Sequence, residues 1–253
     1  MKEVTVVLGG GGARGLAHIG LLKVLESKNV KIKKIIGCSM GGLIGALYAY
    51  GYSASQLEVI AKKVNFYNYF DIDYFHLHTG LAKGLKFDQF LEDYLPSSFS
   101  SLKIPFEASA LDLVSGEEVF LKSGDLRKAI RATACIPGVF EPIRYGKKLL
   151  VDAGFVHTIP SFDVNNFTIV SDVNHYPIKF SDYNNSWKIL KRLYYIGQMA
   201  NANDVINKFK NSKKVIVIAP DLHDEEQVSF KDIDKIIKLG EKASKKKLNK
   251  FLK

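Results

Sequence analysis

Ser39 stands in Gly37-Cys38-Ser39-Met40-Gly41, directly after the apolar run Lys34-Ile35-Ile36 and before a small-residue segment, Gly42 to Ala49. This is the G-x-S-x-G pattern in the context it requires: strand, tight turn, helix. A serine hydroxyl is a weak nucleophile until fixed geometry and a neighbouring base activate it. A sharp strand-to-helix turn lifts the side chain above the sheet in a strained backbone conformation, and Gly37 and Gly41 leave room where strand and helix converge. The helix N-terminus favours developing negative charge. A glycine-flanked helix start with Ser39 as its cap gives the same five letters, so the pentapeptide alone leaves acyl transfer and a plain cap both open.

A second constellation is Gly9-Gly10-Gly11-Gly12-Ala13-Arg14-Gly15, which follows a strand-like run and opens a helix. Three chemistries compete for it. Gly10-x-Gly12-x-x-Gly15 matches the dinucleotide fingerprint, but that reading expects an acid after the second strand, where this chain has the serine turn. A phosphate-cradling loop expects Gly-Lys-Ser/Thr, which does not follow. An oxyanion hole uses successive glycine amides beside a helix N-terminus, and it also gives the serine turn a purpose.

Ser39 needs a proton acceptor. The histidines are His18, His76, His78, His157, His175 and His223. The order Ser39, Asp152, His157 permits a triad, although any downstream histidine would satisfy that order. His18 lies on the first helix and reads as a packed or capping residue. His76 and His78 read as surface residues rather than a metal pair. Asp152 is the stronger candidate. It ends the apolar run Leu149-Leu150-Val151, where side chains of α/β sheets emerge into clefts. A carboxylate there can take the serine proton directly if burial raises its pKa. Taken alone, Asp152 before Ala153-Gly154 also reads as a turn cap.

These groups must be carried by an alternating strand and helix pattern, which predicts an α/β protein. Val4–Leu8 and Lys33–Ile36 read as strands that feed the two loops. Residues 13–28, 53–64 and 87–95 read as helices, with Ser53 as a cap and Pro96 as a stop. Hairpins are expected over 106–121 and 142–151, a helix over 126–134, strands over 167–173 and 214–218, and long helices over 187–211 and 230–253. Residues 65–85 carry Phe66, Tyr67, Tyr69, Phe70, Tyr74 and Phe75 without a period. They read as a lid or substrate wall, or as a loop whose aromatics close the core.

Taken together, Gly10-Gly11-Gly12-Ala13-Arg14-Gly15, Gly37-Cys38-Ser39-Met40-Gly41 and Asp152-Ala153-Gly154 resemble the patatin-like phospholipase family. Ala17-His18-Ile19-Gly20, residues 129–133 and Ile136-Pro137-Gly138-Val139-Phe140 resemble its bacterial members. The resemblance covers about residues 4–175. It implies a three-layer α/β/α sandwich around a mainly parallel sheet, and acyl-ester hydrolysis through an acyl-serine. It implies a dyad with Ser39 as nucleophile and Asp152 as general base, and neither a catalytic histidine, a metal nor a cofactor. The amides of Gly10, Gly11, Gly12 and Ala13 would form the oxyanion hole, with Arg14 and Gly15 supporting the loop. The chain departs from the family at Ala153, where a second glycine is frequent, and at Gly9, where an acid occurs.

With 253 residues and 47% apolar content, one domain over 1–253 is expected. Two cysteines make no disulfide framework and suit a reducing compartment. Met1-Lys2-Glu3 runs straight into a strand, and no apolar run reaches the roughly 18 residues of a membrane span. A cytoplasmic enzyme is expected. The net charge of +10 fits an anionic surface or simple solubility. Residues 230–253 hold nine lysines against three acids, with Ile233, Ile236, Ile237, Leu248, Phe251 and Leu252 between them. They read either as a basic amphipathic end touching anionic lipid or as a helix with one buried stripe and a solvated lysine face. A lipid or acyl-ester substrate is expected. Nucleic-acid binding rests on charge alone and is not. The rival functions are a catalytically silent lipid-binding protein and a dinucleotide-binding protein.

Overall fold

A computed structural model describes residues 3–63, 83–175, 186–222, 225 and 229–251. The expected lid at 65–85 thus lies almost wholly outside the described residues, as do His76, His78 and His223.

The central sheet joins β1 (Glu3–Leu8), β2 (Lys31–Cys38), β3 (Phe106–Asp112), β4 (Glu118–Leu121), β5 (Ile143–Tyr145), β6 (Lys148–Asp152), β7 (Phe167–Ser171) and β8 (Val215–Ile218). Their order is β5-β6-β3-β2-β1-β7-β8, with β4 on β3. β3, β2, β1, β7 and β8 are mutually parallel. β1 is buried from Val4 through Leu8, as expected of a parallel strand covered on both faces.

Period-two alternation divides the core. Val6, Leu8 and Ile35 face one side, where they meet α1 (Ala17–Ser27), α2 (Met40–Tyr50), α3 (Ala54–Lys63) and α7 (Ile233–Phe251). Val7, Ile36 and Val170 face the other and pack with Ala202 and Val205 of α6 (Ser186–Phe209). The sheet is therefore flanked by helices on both faces. α3 begins with a reciprocal cap: the Ser53 hydroxyl oxygen accepts from the Gln56 amide at 3.2 Å, and Gln56 Oε1 accepts from the Ser53 amide at 2.9 Å.

The chain order reverses at β1, whose neighbours are β2 on one side and β7 on the other. Crevices at the carboxyl ends of parallel strands open at such a point. The glycine loop after β1, the serine turn after β2 and the Asp172 loop after β7 all emerge there. β6 supplies the fourth part. β4 takes one edge of β3, and β2 occupies the other edge only as far as the pair Cys38–Ser109. β6 continues that same edge from the pair Ala110–Asp152, running antiparallel. The ends of β2 and β6 therefore meet head to head.

Ile236, Ile237 and Leu248 of α7 lie in the core, and Lys235, Lys238, Lys242, Lys245, Lys246 and Lys247 are exposed. Of the two readings of this end, the packed helix describes these three apolar side chains; Leu252 lies outside the described residues. α7 approaches α1 so closely that a Cβ on Gly240 would strike the Ala17 carbonyl, with Ala17 C at 2.8 Å. Among the described residues no helix is long and apolar enough to cross a membrane.

Gly240→Ala should destabilise the protein by about 2 kcal/mol, because overpacking against backbone outweighs alanine's better helix propensity. The check is the urea midpoint, and an unchanged or raised midpoint would show that the two helices separate without cost.

Candidate active site

Ser39 has φ 52° and ψ −124°, and with Asn29 it is one of two non-glycine residues of positive φ among the described residues. Such a conformation costs on the order of 1–3 kcal/mol and needs fixing from outside. Its amide donates to Thr133 Oγ1 at 2.9 Å, and that hydroxyl donates to the Ser109 carbonyl at 2.5 Å. The Ser39 carbonyl accepts from the Leu43 amide at 3.0 Å, starting α2. A Cβ on Gly41 would strike the Leu8 carbonyl and lie 2.6 Å from that of Gly9. The turn thus lies directly on the end of β1, and only glycine fits.

Asp152, 5% exposed, meets this turn from β6. Its carboxylate accepts from the Gly154 amide at 2.8 Å and from Cys38 Sγ at 3.5 Å, and the Ser39 hydroxyl is a third donor group that acts on its ionisation. Burial pushes its pKa up to about 6, against the opposing pull of these three donors. The turn-cap reading of Asp152 is also correct, since it caps a short 3-10 turn over Ala153–Phe155 with the same oxygen. One side chain does both.

The glycine loop lies beside them. A Cβ on Gly10 would come within 3.2 Å of Ser39 Cβ. The Gly9 amide donates to the Ser171 carbonyl at 3.0 Å and the Gly10 amide to the Thr158 carbonyl at 2.8 Å. The Gly10 amide is therefore committed, which corrects its place among the expected oxyanion donors. Its carbonyl accepts from Asn174 Nδ2 at 2.6 Å. Beyond it, Gly12 takes φ 54° and opens a 3-10 turn, Gly12–Leu16, whose first amides have no helical acceptor. The Gly11 and Gly12 amides have no partner among the described residues. Ala13 is buried in this turn, and Gly15 packs against Met40.

Arg14 is buried, and its Nε donates to the Glu225 carbonyl at 2.7 Å, tying the loop to the segment before α7. His18 is fully buried, with Nε2 2.8 Å from the Gly9 carbonyl and Nδ1 2.9 Å from Ser171 Oγ. A carbonyl can only accept, so Nε2 carries the proton and Nδ1 accepts from Ser171. Burial lowers the His18 pKa to about 4, which keeps the ring neutral at pH 7. His157 is half-buried, its amide bonded to the Ala153 carbonyl, and among the described residues nothing joins its ring to Ser39 or Asp152.

Thr133, Thr158, Asn174 and the structural part played by His18 went unread in the sequence. Thr133 had one signal, its place in the quoted stretch 129–133. The other three are single polar residues that mean nothing until the sheet assembles. Among the described residues no group of three or more metal-binding side chains occurs.

The model of the patatin-like phospholipase family matches residues 6–163. The chain belongs to this family. The dinucleotide reading of its glycine loop falls with that assignment. An uncharacterised NTE family protein of Mycobacterium tuberculosis is 34% identical over 160 residues, covering 62% of this chain and 44% of the relative. Lysophospholipase NTE1 of the yeast Debaryomyces hansenii is 25% identical over 268 residues, covering 94% of this chain and 17% of the relative. This chain thus spans less than half the length of these relatives. In fold it is similar to VipD of Legionella pneumophila, with a TM-score of 0.61 at 12% identity over 99% of this chain and 67% of VipD. The type III effector ExoU gives 0.52 at 11% identity over 99% of this chain and 53% of ExoU.

A raised carboxylate pKa fixes the sign of a stability effect. Between pH 3.8 and about 6 the folded chain holds a proton on Asp152 that the unfolded chain has released, so stability falls as pH rises through this window. Asp152→Asn should therefore stabilise the protein above pH 6 by up to about 3 kcal/mol, and the gain should vanish below about pH 4. Urea unfolding of both proteins at the two extremes is the check. A gap that does not depend on pH would mean that burial imposes no cost on this carboxylate.

Proposed function

We propose that the chain is a serine hydrolase of lipid esters that works through a Ser39–Asp152 dyad. The observation that carries this reading is the meeting of the strained Ser39 turn with a buried carboxylate of raised pKa, which accepts from Cys38 Sγ, next to Ser39, at 3.5 Å and whose pKa the Ser39 hydroxyl lowers. A base near pKa 6 is largely ionised at neutral pH yet basic enough to take a proton in a transition state. Family membership supports the reading, and so does the name of the yeast relative, a lysophospholipase.

In the first half-reaction Ser39 Oγ attacks the ester carbonyl while its proton passes to Asp152. The carbonyl oxygen, now an oxyanion, sits at the Gly11 and Gly12 amides. Each such donor contributes on the order of 3 kcal/mol to the transition state. Collapse releases the alcohol, which takes the proton from Asp152 and leaves an acyl-Ser39. Water then attacks the acyl group, giving its proton to Asp152, and the second collapse returns that proton to Ser39 as the fatty acid departs. Phospholipids and lysophospholipids are the proposed substrates.

Hydrolysis of a short-chain p-nitrophenyl ester should fall at least about 1,000-fold in Ser39→Ala and in Asp152→Asn, and stay near wild type in His157→Ala. A folded wild type without activity would instead favour a silent lipid-binding protein, and loss in His157→Ala would restore a triad. The kcat/KM of the wild type should fall as pH drops through about 6, where Asp152 gains its proton. A flat profile from pH 5 to 8 would remove Asp152 as the base, and the same profile in His157→Ala excludes that histidine as its source.

A further inference from the structure

Asn174, 3% exposed, follows β7 and lies against the glycine loop after β1. Its Nδ2 donates to the Gly10 carbonyl at 2.6 Å. A carbonyl only accepts, so the NH2 group of the side chain must face it. The residue is itself held in place. The Asn174 amide donates to Asp172 Oδ1 at 2.8 Å, and the amide of buried Asp172 donates to the Ile218 carbonyl at the end of β8 at 2.9 Å.

The Gly10 carbonyl and the Gly11 N–H belong to one planar peptide unit. In a trans peptide the two point in opposite directions. The bond that draws the Gly10 oxygen toward Asn174 therefore turns the Gly11 N–H away from it, and that amide has no partner among the described residues. Both ends of the unit are confined. A Cβ on Gly11 would lie 2.5 Å from Val173 Cγ2 and 3.2 Å from Asn174 Oδ1. A Cβ on Gly10 would come within 3.2 Å of Ser39 Cβ. The peptide is thus pinned between the serine turn and Val173-Asn174. A hydrogen bond on its carbonyl also polarises the unit and strengthens its N–H as a donor, the more so away from water.

We propose that Asn174 is a positioning residue of the oxyanion hole: by holding the Gly10 carbonyl it aims and polarises the Gly11 N–H for the oxygen of the tetrahedral intermediate. The inference rests on the Ser39–Asp152 reading. Asn174 touches neither substrate nor nucleophile in this role and acts only through the peptide it holds.

The test follows hydrolysis of the soluble p-nitrophenyl ester by wild type, Asn174→Ala and Asn174→Asp. Both variants lose the Nδ2 donor, and aspartate keeps the shape, so either one that folds carries the test. The kcat should fall about 10- to 100-fold, less than on outright loss of an oxyanion donor, with KM within about threefold of wild type. A second readout is the affinity for n-butylboronic acid, which forms a tetrahedral adduct on serine with an oxygen in the hole. It should weaken by a similar factor. A variant that merely folded less completely would lose kcat, yet its folded fraction would bind the boronate as tightly as wild type. Unchanged kcat in a folded variant overturns the proposal, as does a lowered kcat with unchanged boronate affinity. Esterase activity that survives Ser39→Ala overturns the dyad and this role with it. Activity lost in Ser39→Ala but kept in the Asn174 variants overturns the role of Asn174 alone.

Discussion

The site depends on one meeting: the end of β2 against the end of β6 on a single edge of β3. That geometry sets a serine hydroxyl against a carboxylate with almost no access to water. Burial alone would drive Asp152 to hold its proton, and three donors, from Ser39, Gly154 and Cys38, draw it back. The compromise near pKa 6 is what a base at neutral pH requires. Among the described residues His157 joins the local hydrogen bonding through its backbone amide and not through its ring.

A second constraint is the fixing of the glycine loop, whose amides the proposed reaction would use as oxyanion donors. The loop after β1 is held at the amides and carbonyls of Gly9 and Gly10. His18 and Ser171 hold Gly9, Thr158 and Asn174 hold Gly10, and Arg14 anchors the following turn to the Glu225 carbonyl. The Gly11 and Gly12 amides, by contrast, have no partner among the described residues. Asp172 joins the same network, accepting from the Asn174 amide at 2.8 Å, and burial raises its pKa to about 6. Preorganised dipoles of this kind act without reorganising at the moment of reaction.

What the sequence disclosed and what it hid follow from the range of the interactions. The serine turn, the Ser53 cap, the hairpins at Gly116 and Gly146 and the strand before Asp152 rest on residues close in the chain, and the pattern shows them. The pairing of Asp152 with Ser39 across 113 residues rested on its place at the end of an apolar strand and on family resemblance, because nothing in spacing says that β6 continues the edge β2 leaves. Four consecutive glycines look alike in sequence. Only tertiary contact separates Gly10, whose amide Thr158 takes, from Gly11 and Gly12. His18 could not be told from a packed core residue, since it is one; its function is to be buried and neutral. The basic helix α7 shows why amphipathicity alone misleads. An apolar stripe that packs on α1 and one that meets lipid have the same period.

The groups that make the site also set its response to acid, and they pull in opposite directions. His18 is neutral when folded down to about pH 4 but protonates near 6.5 in an open chain, so the fold gains stability as pH rises from 4 to 6.5. Asp152 and Asp172 do the reverse, losing stability as pH climbs from 3.8 to about 6. The two slopes overlap over almost the same interval and offset one another. Ionising Asp152 readies the proposed base and burdens the fold in a single step, and His18, becoming easier to bury over that interval, returns part of the loss. A buried base of this kind is tolerable at neutral pH because the loop beside it is organised by a histidine whose own burial costs least there.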